Sequence, residues 1–298
     1  MKMKERKTTF AIFGNTYQPE KSAPAAAVIS NILSRGAAAT VDRPYYEFLT
    51  GECKLSLTGV SVFSGDDFEA DYAVSIGGDG TFLKSAMRVG PHLKPIIGVN
   101  TGRLGFLASV RPDDIGLATD AILSGNFSIE EHTAIQIETE GEPLSGCRFA
   151  LNDIALLKRD NASMISIRTK VNGQHIVTYQ ADGLIVCTPT GSTAYSLSNG
   201  GPVIVPQTGT LCLTPVAPHS LNIRPIVISD DSRVELSVES RNHSFLAAID
   251  GRSVSLAETT TVVITQAPFH TRIIKLPGQH YIDSLREKMM WGADLRKA

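Results

Sequence analysis

The sequence predicts an α/β N-terminal domain with a parallel, layered sheet, followed by an all-β C-terminal domain. Three observations carry this. Apolar strand patterns alternate with amphipathic helix patterns over the first ~125 residues. The texture changes near residue 130, after which helix patterns nearly vanish. A single helical pattern returns at the C-terminus. In order, "TTFAIFGN" reads as a strand and "EKSAPAAAVISNILSRG" as a helix stopped by Gly36. "DYAVSIGG" is a strand, "TFLKSAMRVG" a helix and "KPIIGVNTG" a strand. "PDDIGLATDAILSG" is a helix with Asp113 or Asp114 near its start.

The strand-like segments that follow are "TAIQIETEGE", "CRFALNDIALLK", "SMISIRTKVNGQHIVTYQADGLIVCT", "RVELSVES", "SFLAAIDG" and "TTVVITQA". Alternation is clear at Ile165, Ile167 and Val171, and Asn172-Gly173 is a strong hairpin signal. "YIDSLREKMMWGADLRKA" is helical. The expected division is residues 1–128, 129–276 and 277–298, with the last segment packing back on the first domain.

Bulk composition excludes several classes. The 298 residues are 42% hydrophobic and 19% charged, which suits a folded chain with a sizeable core. The net charge of −2, with no basic stripe, argues against a nucleic-acid partner. Apolar runs fall short of a membrane span, and the run after the basic start "MKMKERK" is too short for a signal peptide. Cys53, Cys147, Cys187 and Cys212 are widely spaced, as for free thiols in a reducing cytosol. A cytoplasmic location is therefore expected. The sequons "NFS", "NAS" and "NHS" carry no meaning without export.

The chemistry concentrates in "DYAVSIGGDGTFLKSA", residues 71–86. A strand, a glycine turn and a helix make a phosphate site, because glycines admit close approach and free N–H groups attract anions. It is neither a P-loop, lacking Gly-Lys-Ser/Thr, nor G-x-G-x-x-G, since Leu83 occupies the last position. Asp79 is the odd member. Two unit charges 4 Å apart cost roughly 4 kcal/mol at an effective dielectric of 20, so an aspartate beside phosphate needs a reason. Three roles stand open: a helix cap on the N–H groups of Thr81 or Phe82, a cation holder, or a proton acceptor.

"GGDGT", Gly77–Thr81, resembles a signature shared by NAD kinases, diacylglycerol and sphingosine-type lipid kinases and, with serine last, phosphofructokinases. The resemblance implies that Gly77, Gly78, Gly80 and Thr81 handle ATP phosphates. "NTGRLGFLA", residues 100–108, is similar to a second NAD kinase segment. "YQADGLIVCTPTGSTAYSLSNGGPVIVP", residues 179–206, is similar to a third almost letter for letter, and "APHSLNIRPIVI" and "AIDGR" also have counterparts. These matches single out the NAD kinase family, whose members phosphorylate the adenosine 2′-hydroxyl of NAD to give NADP.

The run "TPTGSTAYSLSNGGP" could be a plain polar loop, although long loops in compact domains are usually functional. Its hydroxyls suit an adenine edge and Tyr195 offers a stacking face. The resemblance implies that Thr193, Ala194, Tyr195, Ser196, Leu197 and Ser198 line the NAD site. It places Asp79, Gly80, Lys84, Asp182 and Ala217 there too, and matches Asn152-Asp153 to the family's Asn-Glu pair. A carboxylate can accept two O–H bonds from a ribose diol, but Asp153 is a methylene shorter than Glu, so a bridging water is an alternative. Arg252 replaces an amide often found after the family's Asp-Gly. His219 lacks a nucleophile elbow, the histidines show no metal spacing, and no metal ligand is assigned.

The resemblance further implies ATP as phosphoryl donor, a divalent ion such as Mg2+, NAD bound in a cleft lined mainly by β-domain loops, Asp79 as base, and a homodimer or homotetramer. On the base reading, Asp79→Asn lowers turnover and leaves the melting temperature nearly unmoved. Rival readings are a lipid kinase of the same superfamily and a non-catalytic NAD-binding sensor.

Overall fold

A computed structural model describes residues 6–17, 19, 22–102, 105–159 and 163–290. The chain divides into two compact units: the residues up to Glu130 together with those from Arg272 onward, and Glu131–Thr271. The end of the last strand thus belongs to the first unit. Residues 291–298 of the expected C-terminal helix, and residues 103 and 104, lie outside the described residues.

The first unit contains β1 (Thr9–Gly14), α1 (Ala23–Ser34), β2 (Ala38–Asp42), α2 (Arg43–Gly51), β3 (Ser61–Phe63), β4 (Tyr72–Ile76), α3 (Asp79–Val89), β5 (Ile96–Val99) and α4 (Ile115–Leu123). Its strands are parallel in the order β3-β2-β1-β4-β5. Helix α1 carries proline in its first turn and buries Ala25, Val28, Ile29 and Ile32, the single stripe that 3.6-residue periodicity allows. These residues pack with Phe10, Ile12, Val74 and Ile97 of the sheet. The segment β2–α2–β3 has no reading in the sequence analysis: "AATVD" is short and runs directly into α2, whose first turn carries Pro44.

The strand β6 (Ser128–Glu140) leads into the second unit. There follow β7 (Phe149–Ala150), β8 (Asp153–Lys158), β9 (Ile165–Val171), β10 (Gln174–Ala181), β11 (Gly183–Cys187), α5 (Tyr195–Ser198), β12 (Thr210–Val216), β13 (Ile226–Ser229), β14 (Val234–Glu239), β15 (Ser244–Ile249) and β16 (Arg252–Ala257). The chain ends with β17 (Thr261–Lys275) and α6 (Tyr281–Met289). Strands β13-β12-β11-β8-β15-β16 form an antiparallel six-stranded sheet. Its inward residues, among them Ile154, Leu156, Leu184, Val186, Leu211 and Phe245, pack on Ile165, Ile167, Val234 and Leu236 of the order β10-β9-β14-β17. This is the expected β-rich domain, and the β9–β10 turn has Asn172 and Gly173 both at positive φ, as a two-residue hairpin requires. The outer face of the six-stranded sheet is buried as well: Ala155, Ile185, Cys187, Cys212 and Ala248 pack with Ile204. That explains why β11 reads as an unbroken apolar run. Within the last strand, Ile273 pairs in parallel with Ile96 of β5.

Candidate active site

In the first unit β1 lies between β2 and β4, so the chain reverses direction across the sheet there. Loops leaving β1 and β4 diverge at such a point, which is where open α/β sheets bind ligands. The glycine loop follows β4. Gly77 has φ +154°, and a Cβ there would run into the side chain of Thr81, 2.7 Å from its Cβ. Gly78 is the extended N-cap of α3, and its carbonyl accepts the N–H groups of both Thr81 and Phe82 at 3.0 Å. The N–H groups of Gly78, Asp79 and Gly80 have no protein acceptor among the described residues.

Asp79 is the first residue of α3 and makes no side-chain cap, contrary to that reading, because Gly78 O already holds the amides a cap needs. Its carboxylate turns away from the helix. Oδ2 accepts the N–H of Phe106 at 2.7 Å, and Oδ1 accepts those of Leu107 at 3.1 Å and Ala108 at 2.9 Å. A Cβ on Gly105 would land on that carboxylate. Asn100 braces the same segment: its Oδ1 accepts the Gly102 N–H at 2.7 Å and its Nδ2 donates to Ala108 O at 3.3 Å. Gly98 lets the segment close, since a Cβ there would come within 2.6 Å of Ala108 Cα. "NTGRLGFLA" is thus built to present amides to Asp79.

Helix α6 completes this region. The Tyr281 ring lies 6.3 Å from that of Phe106, and Lys288 Nζ lies 4.5 Å above the Phe106 ring. Lys84 is exposed on α3, its Nζ 5.2 Å from the Tyr17 ring.

A parallel arrangement occurs in the second unit. Asp250 accepts the N–H groups of Leu151 and Asn152 at 2.9 Å and of Asp153 at 3.0 Å. Thr188 clamps the same segment, its N–H donating to Asn152 O at 2.9 Å and its hydroxyl to Leu151 O at 2.5 Å. A Cβ on Gly191 would strike the Asn152 carbonyl. So held, the Asn152 Oδ1 is buried without a hydrogen-bond partner. Asp153 is only 6% exposed, and burial, then the Asp250 charge, push its carboxyl up to about 7. Burial also raises the Asp250 carboxyl, with the three amides and Arg252 acting in the opposite direction.

The expected polar loop is folded: Thr190–Thr193 form a 3-10 turn and Tyr195–Ser198 the short helix α5. His132 pins its start, with Nδ1 2.8 Å from the Thr190 hydroxyl. Tyr195 is 40% exposed, Ser198 is exposed, and Thr193, Ala194 and Leu197 are half-buried. Ser196 is fully buried, its hydroxyl 2.8 Å from that of Thr214, so that side chain belongs to the sheet contact. Asp182 is paired with Lys158 at 2.8 Å, and Ala217 is exposed at φ +44°.

Family models match both parts of the chain: the ATP-NAD kinase N-terminal domain over residues 20–127 and the ATP-NAD kinase C-terminal domain over residues 151–276. The chain belongs to the NAD kinase family. A Bacteroides fragilis NAD kinase is 52% identical over 287 residues, covering 96% of this chain and 99% of its own. A Porphyromonas gingivalis NAD kinase is 38% identical over 286 residues, with coverage of 96% and 99%. Among solved structures, an NAD kinase from Archaeoglobus fulgidus in complex with ATP superimposes with a TM-score of 0.67 at 25% identity, covering 95% of this chain and 99% of that one. Yeast NADH kinase complexed with NADH shares the fold, with a TM-score of 0.85 at 20% identity and coverage of 98% and 90%.

The resemblance singles out Asp79 and the Asn152-Asp153 pair, but not the residues that hold them. His132, Lys158 and Lys288 have no local pattern that marks them, whereas Gly105 stands in the quoted "NTGRLGFLA" and Asp250 in "AIDGR". Among the described residues no group of three His, Cys, Asp or Glu side chains is placed to hold a metal, and no helix is long and apolar enough to cross a membrane.

Proposed function

We propose that this chain transfers the γ-phosphoryl group of ATP to the adenosine 2′-hydroxyl of NAD, giving NADP and ADP. The observation that carries the chemistry is the Asp79 carboxylate, fixed by three amides beside the open N–H groups of the glycine loop. A carboxylate offers about four lone-pair sites. Three are taken, two on Oδ1 and one on Oδ2, so the free one is on Oδ2. Oδ2 therefore accepts the 2′-hydroxyl proton.

The new bond joins the 2′-oxygen to Pγ. The bond from Pγ to the β,γ-bridging oxygen breaks, and ADP departs with that electron pair. A carboxylate is a weak base, which suffices because the transition state is loose and positioning matters more than early deprotonation. The backbone N–H groups of Gly78, Asp79 and Gly80 receive donor phosphate oxygens. The one free lone pair of Asp79 is taken by the acceptor hydroxyl, and among the described residues no group of three His, Cys, Asp or Glu side chains is placed to hold a cation. A divalent ion, Mg2+, would ride on the donor's own phosphates and offset their charge.

Acceptor recognition is assigned to the second unit, where Asn152 Oδ1 and the exposed Tyr195 ring offer a hydrogen bond and a stacking face. Asp182 reaches a ligand only by sharing or leaving Lys158. These groups are polar, which disfavours a lipid acceptor, and a poised Asp79 has no use in a pure sensor. A homodimer or homotetramer is what the family resemblance implies, and a cytoplasmic location rests on the widely spaced cysteines; light scattering tests the first.

The decisive experiment incubates the protein with ATP and NAD and follows NADP, with diacylglycerol as the competing acceptor. NADP and no phosphatidate is the expected outcome. Phosphorylated lipid in place of NADP reverses the assignment.

A further inference from the structure

Helix α6 presents Tyr281, Leu285 and Lys288 on one face, at the i, i+4, i+7 spacing of a buried stripe. Leu285 is the stripe's buried apolar member. The other two flank Phe106, the residue whose N–H binds Asp79. Both end in polar atoms that are buried and have no hydrogen-bond partner among the described residues: Tyr281 Oη and Lys288 Nζ. The ammonium is a three-donor group, and its contact among the described residues is with the face of the Phe106 ring at 4.5 Å. A cation–π contact does not replace three hydrogen bonds. A buried, unsatisfied ammonium destabilises the fold unless something binds it.

The missing partner has to be anionic and has to arrive near Asp79. Resting on the function proposed above, we propose that Lys288 binds a phosphate oxygen of the nucleoside triphosphate donor, with the Tyr281 hydroxyl as a second donor. The ammonium then neutralises charge on the phosphates that Gly78–Gly80 receive through their backbone, a point charge added to a set of neutral amides. Lysine is ordinarily protonated far above neutral pH. Here burial, opposed by Asp79 and reinforced by Lys275, brings the group down to about 8, with Glu287 pulling it up. Lys275 is itself paired with Glu130 and Glu287 with Arg111, which leaves Asp79 as the acid that favours the charged ammonium.

Lys288→Met keeps the volume and removes the charge, and Lys288→Arg keeps the charge at any working pH. The measurements are KM for ATP and for NAD, the affinity for a non-hydrolysable ATP analogue by calorimetry, and the melting temperature. Lys288→Met is expected to raise KM for ATP and weaken the analogue about 10- to 100-fold, the range of a charged hydrogen bond. KM for NAD stays within about twofold, and the melting temperature holds or rises because an unpaired charge is gone. Wild-type ATP affinity falls as pH passes from about 7 to 9, and that fall is absent in Lys288→Arg.

ATP affinity within twofold of wild type in Lys288→Met overturns the proposal. So does a lowered melting temperature with unchanged ATP affinity, which makes the lysine a packing residue. A failure of the wild type to form NADP would reject the proposed reaction only, since the analogue-binding comparison still decides the role of Lys288.

Discussion

Asp79 Oδ1 accepts the N–H of Ala108 at 2.9 Å, which ties the first residue of α3 to a segment 29 positions further on. With Phe106 and Leu107 added, the carboxylate becomes the keystone of two motifs far apart in sequence. The aspartate is tolerated in a phosphate loop because its charge is compensated by amides that belong to another part of the chain.

Gly105→Ala tests that geometry. A Cβ there falls on the Asp79 carboxylate, and Gly105 itself needs no positive φ, so alanine strains the contact rather than the backbone. Displacing a reacting group by about 1 Å costs roughly 10²-fold in rate. Turnover is expected to fall by about that factor, with overpacking costing about 1–3 kcal/mol of stability in urea denaturation. Wild-type turnover in the variant means the carboxylate works from another position.

Asp79→Asn is expected to lower turnover roughly 10²- to 10⁴-fold, as for loss of a general base. From sequence alone the same change looks harmless to the fold. The three amides reverse that expectation. An asparagine keeps one acceptor oxygen, so its NH2 group must face an N–H donor, with Phe106 the cheapest clash. A loss of about 1 kcal/mol or more follows, because the half-buried Phe106 N–H is left unsatisfied. An unchanged denaturation midpoint contradicts the amide cradle; turnover within about threefold of wild type contradicts the base role.

Asp153 sets a pH dependence of stability. Its carboxyl rises from 3.8 to about 7 in the fold, through burial and the Asp250 charge. Between those values the native state holds a proton that the unfolded chain has released. Stability from this group is therefore present at acidic pH and is lost as pH climbs through that window, with an upper bound of about 4 kcal/mol. Asp153→Asn removes the charge and keeps the shape. It is expected to raise the melting temperature at pH 7.5 and to flatten the stability profile between pH 4 and 7. A variant less stable than wild type at pH 7.5 shows that the charged form is needed for folding.

Local signals made the first unit's main strands and helices readable, because Val28, Ile29 and Ile32 or Phe82, Ala86 and Val89 repeat at helical spacing. The Asn172-Gly173 hairpin was legible for a similar reason: its chemistry is confined to two residues. The run "TPTGSTAYSLSNGGP" reads as a polar loop, and its short helices leave no local signal because they are braced from outside, by His132 on Thr190 and Thr214 on Ser196. Asp79 and Asp153 were visible as acids, but not their surroundings. Amides 27 residues from Asp79 and an aspartate 97 residues from Asp153 define what those carboxylates do, and such contacts leave no periodicity to read.

Asn152 offers the sharpest test of the acceptor site. Its backbone is locked by Asp250 and Thr188, and its Oδ1 is buried with no partner. Removing one member of a satisfied pair usually destabilises a protein, because the other is left bare. Here no protein donor is left bare, so Asn152→Ala is expected to leave the melting temperature unchanged or slightly higher. If the oxygen accepts a hydrogen bond from NAD, that bond is lost at about 1.4 kcal/mol, a tenfold rise in KM for NAD with KM for ATP unmoved. Steady-state kinetics with each substrate varied in turn reads both constants. A variant that melts lower and binds NAD normally reveals an oxygen satisfied by buried water, and Asn152 then serves the β8 turn alone.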